Sequence, residues 1–358
     1  MNYKESEKKL VLIFKENLLC KNDNYFFCYR KGKIVLKDTK SYATIQTLRI
    51  HPVFMSFSIL ERVFRLVPRC AFALNEQEFI YSDHGSIFRY SIKTNSVVKE
   101  HTFSKGMSNP LSFCIRRDLN NAIIDVLYGE YIQNDEKGPV AIYKRDNGIW
   151  LKVFEFPSNT IKHIHNIIFD KENERYIILT GDNNNESAIW LATINFANVE
   201  PIVIGKQKYR ACIGYVKSNE IYYATDTPLE QNYLYKLKMD GSVQEICKLP
   251  GPCIFGIKKE KYLYIATSVE GNPVLPKWEY MLSSKIGPGL KDRYVHIFRI
   301  KENYAHEEIS CIKKDFLPMG LFQFGNILFP STNDESLYFV PQALVIRNGT
   351  YILGLNDE

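Results

Sequence analysis

The 358-residue chain has little of several things that would fix its class at once. It has no apolar run of membrane length. The run nearest the N-terminus, Leu10 to Phe14, spans five residues and is followed directly by Lys15 and Glu16, too short and too charged for a signal h-region or a membrane span. The eight cysteines show no CxxC spacing, which argues against a structural zinc site of the usual kind. Being scattered, they read as small buried hydrophobes in a reducing cytoplasm. No block of like charge stands out: 46 basic and 40 acidic residues leave a net charge of only +6. Lysine clusters such as KGKIVLKDTK read as solvated edge strands, and no nucleic-acid-binding motif accompanies them. Long stretches of helical period are missing too.

What is abundant is strand material. With 23 tyrosines, 22 phenylalanines and recurrent short Ile/Val runs, the composition favours an all-β fold. A recurring unit emerges: a short strand, a polar turn, a second strand ending near an acidic residue, a loop, and a third alternating strand. Full copies begin at Arg69, Ser112, His163, Arg210, Cys253 and Met319, with a partial copy near Tyr25. The residues closing the second strands, Asp83, Glu130, Asp182, Asp226 and Glu270, are 47, 52, 44 and 44 apart. A period in the forties to low fifties is that of four-stranded antiparallel β-propeller blades. The expectation is a single propeller domain over residues 1–358, with seven blades, or six as the fallback. An insertion over residues 271–294, with Pro-Gly punctuation and Trp278, Tyr280 and Met281, is expected to overhang one face.

Propeller geometry then assembles a site. The start of each innermost strand and the end of its partner lie at the same face of the disc, so His163 and His165 should meet Asp182, Arg69 should meet Asp83, and Arg210 should meet Asp226. Glu130, with Tyr131 beside it, and Glu270 sit at equivalent ends. His163 and His165, two apart on a strand, should point the same way. Such convergence in a concave mouth suits a small-molecule or saccharide ligand. Turn-capping aspartates and ordinary arginine ion pairs are the structural alternative for Asp83, Asp226, Arg69 and Arg210. His163 and His165 are also candidate ligands for a divalent metal, with Glu130 or Asp182 completing the set.

The stretch PVAIYKRDNGIWLKVFEF resembles an Asp-box hairpin of the sialidase and BNR-repeat propellers: Asp146, Gly148 and Trp150 fall on its Asp, Gly and aromatic positions, although Lys144 replaces the usual Ser/Thr and the turn is one residue short. The segment from Tyr128 to Trp190 is similar to bacterial BNR-like propellers. The resemblance implies a propeller. It implies sialidase chemistry less well, since only Arg69, Arg210 and Arg293 could form the family's arginine triad and their context does not match. Propeller polysaccharide lyases offer an analogy, with His and Tyr as base and acid and Arg or a metal on a uronate carboxylate.

The functional expectation is a cytoplasmic carbohydrate-active enzyme acting on an acidic saccharide by hydrolysis or β-elimination. Its catalytic candidates are His163, His165, Glu130, Tyr131 and Asp182, with Arg69, Arg210, Asp83, Asp226 and Glu270 binding substrate. The expected partner is an anionic saccharide, with neither nucleic acid nor a membrane span involved. The alternative is a non-catalytic propeller that binds a glycan or a protein, in a role such as polysaccharide assembly.

Overall fold

The computed structural model describes residues 10–354 except 108, 119 and 302–304, so the first nine residues of the N-terminal stretch lie outside it. It is a single β-propeller. Six antiparallel four-stranded sheets follow one another along the chain, each with its strands in sequence order. Blade 1 comprises Asn17–Lys21, Tyr25–Arg30, Lys33–Asp38 and Thr44–Arg49. Blade 2 comprises Ala71–Ala73, Glu78–Asp83, Ser86–Ser91 and Ser96–Thr102. Blade 3 comprises Cys114–Arg117, Ile123–Gly129, Val140–Asp146 and Ile149–Phe156. Blade 4 comprises His163–Asp170, Arg175–Gly181, Ala188–Thr193 and Val199–Ile204. Blade 5 comprises Ala211–Lys217, Glu220–Thr225, Asn232–Lys238 and Val243–Leu249. Blade 6 comprises Phe255–Lys259, Tyr262–Ala266, Tyr294–Ile300 and His306–Lys313.

The blade count is six, not the preferred seven. The two uncertain sequence units exchange roles. The copy near Tyr25, read as partial, is a complete blade. The copy from Met319, read as full, opens on a short helix and continues as a two-stranded ladder of Asn326–Leu328 with Val340–Gln342. A second ladder pairs Thr350–Leu353 with Leu10–Phe14, joining the two ends of the described chain. A bridge between Phe339 and Tyr351 connects the ladders. Together they fill the arc between blades 6 and 1, and Ser331–Thr332 adds a parallel fifth strand to blade 1.

The second strands explain the pattern that marked the repeat. Each is covered on both faces, by neighbouring blades or, for blades 1 and 6, by a blade and the arc, so it reads as a largely buried run, such as Tyr176, Ile177, Ile178 and Leu179 in blade 4. The core is accordingly divided into layers between blades: Leu127, Ile164 and Tyr176 lie between blades 3 and 4, and Ile177, Ile221 and Tyr223 between blades 4 and 5. Outer strands alternate and are half exposed. In all six blades the register slips between the third and outer strands, leaving one extra outer residue: Ile45, Glu100, Val153, Ile202, Ile246 and Ile309. A bulge at the same place in every blade increases the twist there.

Three short helices interrupt the strands: α1 (Ser58–Val63) between blades 1 and 2, α2 (Lys277–Leu282) inside blade 6, and α3 (Met319–Phe322) after it. They pack against one another, α3 touching both α1 and α2. No helix of the described residues is long and apolar enough to cross a membrane.

Candidate functional site

Around the axis, three contiguous cavities share lining residues and run from one mouth inward. The mouth is lined by Tyr131, Asp182, Arg210, Asp226, Glu270 and Tyr280, among others. Below it the channel is lined by Arg65, Arg69, Asn109, Tyr131, Gln323, Asn326 and Gln342, and deeper still by apolar inner-strand residues.

Blade 4 builds the centre of the mouth. His163 pairs with Gly181 and Ile164 with Thr180, and then the ladder slips so that Asn166 faces Leu179 and His165 is the extra residue. Blade 5 repeats the device with Cys212 as the extra residue. A bulge re-aims a side chain, and here it turns His165 and Cys212 onto the same buried spot. His165 Nδ1 donates to the Ala211 carbonyl at 2.9 Å, and His163 Nδ1 to the Ile132 carbonyl at 2.9 Å. Their Nε2 atoms face each other at 3.1 Å, each 3.4 Å from Asp182 Oδ1. The Tyr131 ring lies 4.3 Å from the His163 ring, centroid to centroid.

Asp182 is the hub. Its carboxylate also meets Arg210 Nη2 at 3.2 Å and Lys162 Nζ at 3.7 Å. Its carbonyl accepts from Gln207 Nε2 at 2.8 Å and Arg210 Nη1 at 3.1 Å. Its peptide N–H donates to Glu186 Oε1 at 3.3 Å, within a turn that the fully buried Glu186 organises by also accepting from the Asn183 N–H. Burial alone would raise the Asp182 carboxyl, but the two imidazoles, when they carry a proton on Nε2, and the Arg210 guanidinium outweigh it and hold it far below the usual carboxylate range. Burial works against the Arg210 charge as well, yet Asp226 and Asp182 outweigh it and keep the guanidinium raised. Gly181 makes this packing feasible: a Cβ there would lie 2.6 Å from His165 Cε1 and 3.0 Å from Arg210 Cγ.

Arg210 also reaches Asp226 at 3.6 Å, and Cys212 Sγ donates to Asp226 at 3.2 Å. Glu270 is buried beside them and accepts from the Ser268 hydroxyl. Burial and the Asp226 charge push its carboxyl up to about 8. The Cys212 thiol is pushed up by burial and by Asp226, while Cys70 and Cys114 are pushed up to about 12 chiefly by burial. All eight cysteines are free.

The structure thus brings together His163, His165, Tyr131, Asp182, Arg210, Asp226 and Glu270. It places Glu130, Asp83 and Arg293 elsewhere. The Glu130 carboxylate is buried between blades, accepting from the Ser104 hydroxyl and, at 2.8 Å, from the Ala141 N–H. Blade 2 keeps its strand one residue longer, so Asp83 pairs with Ser86 across a two-residue turn at His84 and Gly85. Its side chain lies between His84 and His51, 3.2 Å from His51 Nε2, and makes no ion pair with Arg69. Arg293 donates to the Asp315 carbonyl at 3.1 Å. Arg69 does line the channel, and no ion-pair partner is found for it among the described residues. Beside it stands Arg65, whose guanidinium is lowered first by burial and then by the Arg69 charge, and whose hydrogen bond is a long one, 3.4 Å, to the Gly320 carbonyl. Arg65, Lys162 and Glu186 are the residues that sequence reasoning missed. Lys162 precedes His163 and was within reach of the strand-start argument. Arg65 follows α1, where the blade period carries no information.

Among the described residues, three groups of side chains bring possible ligand atoms close together: His163, His165 and Asp182; His165, Cys212 and Asp226; and, away from the mouth, His51, Asp83 and His84.

No protein-family model matches the chain, and no curated protein sequence matches it. Among solved structures, an oligogalacturonate lyase from Vibrio parahaemolyticus superposes with a TM-score of 0.57 at 10% identity, over 98% of this chain and 93% of that one. A chain of a mitotic checkpoint complex gives 0.57 at 8% identity over 99% and 98%. The WD40 propeller domain of Doa1 gives 0.53 at 8% identity over 98% and 96%. These likenesses establish the β-propeller and nothing finer. The Asp-box resemblance gains no support from a family match. Its hairpin is a two-residue turn at Asn147 and Gly148, with Trp150 buried against blade 2 and Asp146 exposed.

Proposed function

We propose that the axial mouth binds and processes an acidic saccharide. The observation that carries this reading is the pair Arg65 and Arg69: two neighbouring guanidiniums line the channel and neither forms an ion pair among the described residues, although Asp226 lines the same cavity. Like charges held together at a partly desolvated wall call for an anion. Around them stand Asn109, Gln323, Asn326, Gln342 and Tyr131, a set of amides and a phenol suited to hydroxyl groups. The buried Asn109 Oδ1 has no hydrogen-bond partner among the described residues, so an acceptor awaits a donor from the ligand.

Both chemistries open to such a ligand need a proton donor, and two are present. The Tyr131 hydroxyl is pushed well up by burial and by Asp182, and the Glu270 carboxyl is raised beside Asp226. β-Elimination on a uronate would use Arg65 and Arg69 on the carboxylate, an imidazole or Asp226 as base and Tyr131 as donor. Hydrolysis would use Glu270 and Asp226 as the acid and carboxylate pair. Arg210, tied to two aspartates, organises the mouth in this reading and leaves the ligand's carboxylate to Arg69. The name of the Vibrio neighbour points to the probe, an oligogalacturonate.

Glycan binding without turnover is the competing reading, and the engagement of the Asp182 carboxylate by four side chains of this protein favours it. One assay addresses both. The purified protein is titrated with oligogalacturonate and with an uncharged oligosaccharide, while new reducing ends and the absorbance of an unsaturated uronate are followed. We expect saturable binding of the acidic ligand only, weakened about tenfold or more in Arg69→Ala, the loss of a charge-assisted contact. Product formation separates enzyme from binder. Equal affinity for both ligands, or an Arg65→Ala Arg69→Ala variant that binds as well as the native protein, would sink the proposal.

A further inference from the structure

We infer that His163, His165 and Asp182 form a binding site for one divalent transition-metal ion. The argument starts from the outer nitrogens. A carbonyl oxygen can only accept, so the contacts to Ile132 and Ala211 fix the proton of each neutral imidazole on Nδ1. Both Nε2 atoms then present lone pairs, and they present them to each other and to Asp182 Oδ1. Three acceptors face one buried point with no donor between them.

A single added proton would satisfy one of those three contacts. A metal ion satisfies all of them. Ligand atoms bound at about 2.1 Å, at tetrahedral or octahedral angles, stand about 3.0 to 3.4 Å apart. The three separations here are 3.1, 3.4 and 3.4 Å. The backbone carbonyls take the place of the partners that usually orient metal-bound histidines through their far nitrogen. A carboxylate oxygen has two lone pairs, so Oδ1 can bind the ion and still accept from Arg210. Two imidazoles and one carboxylate favour Mn²⁺, Fe²⁺, Co²⁺ or Zn²⁺ over Mg²⁺ or Ca²⁺. Asp182 lines the mouth, so remaining coordination positions are reachable from the channel.

The second histidine pair supplies the contrast. His51 Nε2, the atom nearest Asp83, also contacts the Leu66 carbonyl at 3.1 Å, so it must carry a proton and cannot ligate. That group is a hydrogen-bonded chain.

The inference stands on the ligand triangle, independently of the saccharide reading, and the test uses metal alone. The protein is dialysed against a chelator and titrated calorimetrically with Mn²⁺ and Zn²⁺. One ion should bind per chain, with affinity falling by about 100-fold or more in His163→Gln and in His165→Gln and unchanged in His51→Gln. Because either variant could fail to fold, nitrogen NMR on the native protein gives a second reading: Zn²⁺ should shift the Nε2 signals of two of the seven histidines. Absence of saturable uptake by the folded native protein, uptake that survives both glutamine variants, or uptake lost in His51→Gln would overturn the inference.

Discussion

At the residue scale, the site depends on one position that has no side chain. Gly181 sits where His165 and Arg210 close over the end of the second strand of blade 4, and a Cβ would need space that His165 Cε1 already fills at 2.6 Å. Gly181→Ala must therefore push the imidazole, the guanidinium or the strand aside, at a cost of about 1–3 kcal/mol from overpacking. The expected outcome is a modest fall in the urea midpoint together with a larger fall in affinity for oligogalacturonate. A variant with native stability and native affinity would show that the mouth tolerates displacement of His165. His163, His165, Asp182 and Arg210 were legible in the sequence because a blade period fixes which strand start faces which strand end. The same rule misdirected Asp83 and Glu130: it places backbone ends at a face and says nothing of where a side chain turns once a strand runs one residue longer or a neighbouring N–H captures the carboxylate.

At the element scale, the bulges carry the information that sequence periodicity lacks. An extra residue on an inner strand leaves the apolar run intact, so nothing in HIHNIIFD marks His165 as unpaired, yet the slip decides where its ring points. Outer strands are more readable, since five of the six extra residues are Ile or Val. Blade 6 adds an electrostatic device. His296, on its third strand, is held between Glu308 on the outer strand, at 2.9 Å, and Asp292 in the preceding loop, at 3.0 Å. Burial would lower this imidazole, but the hydrogen bonds and charges of the two carboxylates raise it above its ordinary 6.5. A folded value above the unfolded one means that the cation stabilises blade 6 fully below pH 6.5, and that the contribution is lost as pH rises through the raised value. His296→Gln should therefore lower the melting temperature most on the acid side, with the deficit narrowing in alkali. Thermal melts of both proteins across that range test it, and a deficit that does not vary with pH would refute the linkage.

At the scale of the whole molecule, a ring of blades is only as stable as its closure. Five blades were readable as full copies, and blade 1 as a partial one, because each repeats a strand-turn-strand unit of nearly constant length. The last arc was misread as a full copy, because one of its two-stranded ladders is local and the other joins strands from both ends of the described chain, a pairing that no local period marks. Closure is concentrated at Thr350, which is fully buried. Its hydroxyl donates to the Glu16 carbonyl at 2.7 Å and accepts from the Leu18 N–H at 2.9 Å, pinning the C-terminal strand to the turn that leads into blade 1. Beside it, Phe14 packs on Phe26 with ring centroids 5.2 Å apart, within a core layer shared with Leu18, Tyr338 and Val340. Thr350→Val keeps the shape and β-branching of the side chain but leaves the Leu18 N–H and the Glu16 carbonyl without their partner, at about 1–3 kcal/mol for an unsatisfied buried group. Because the two ends are joined across more than three hundred residues, weakening the joint exposes strand edges on both sides of the arc. The expected result is a lower urea midpoint accompanied by concentration-dependent association near the transition, read by light scattering. Thr350→Ser, which restores the hydroxyl, should recover most of the midpoint, whereas an equal loss in both variants would place the contribution of Thr350 in its methyl packing.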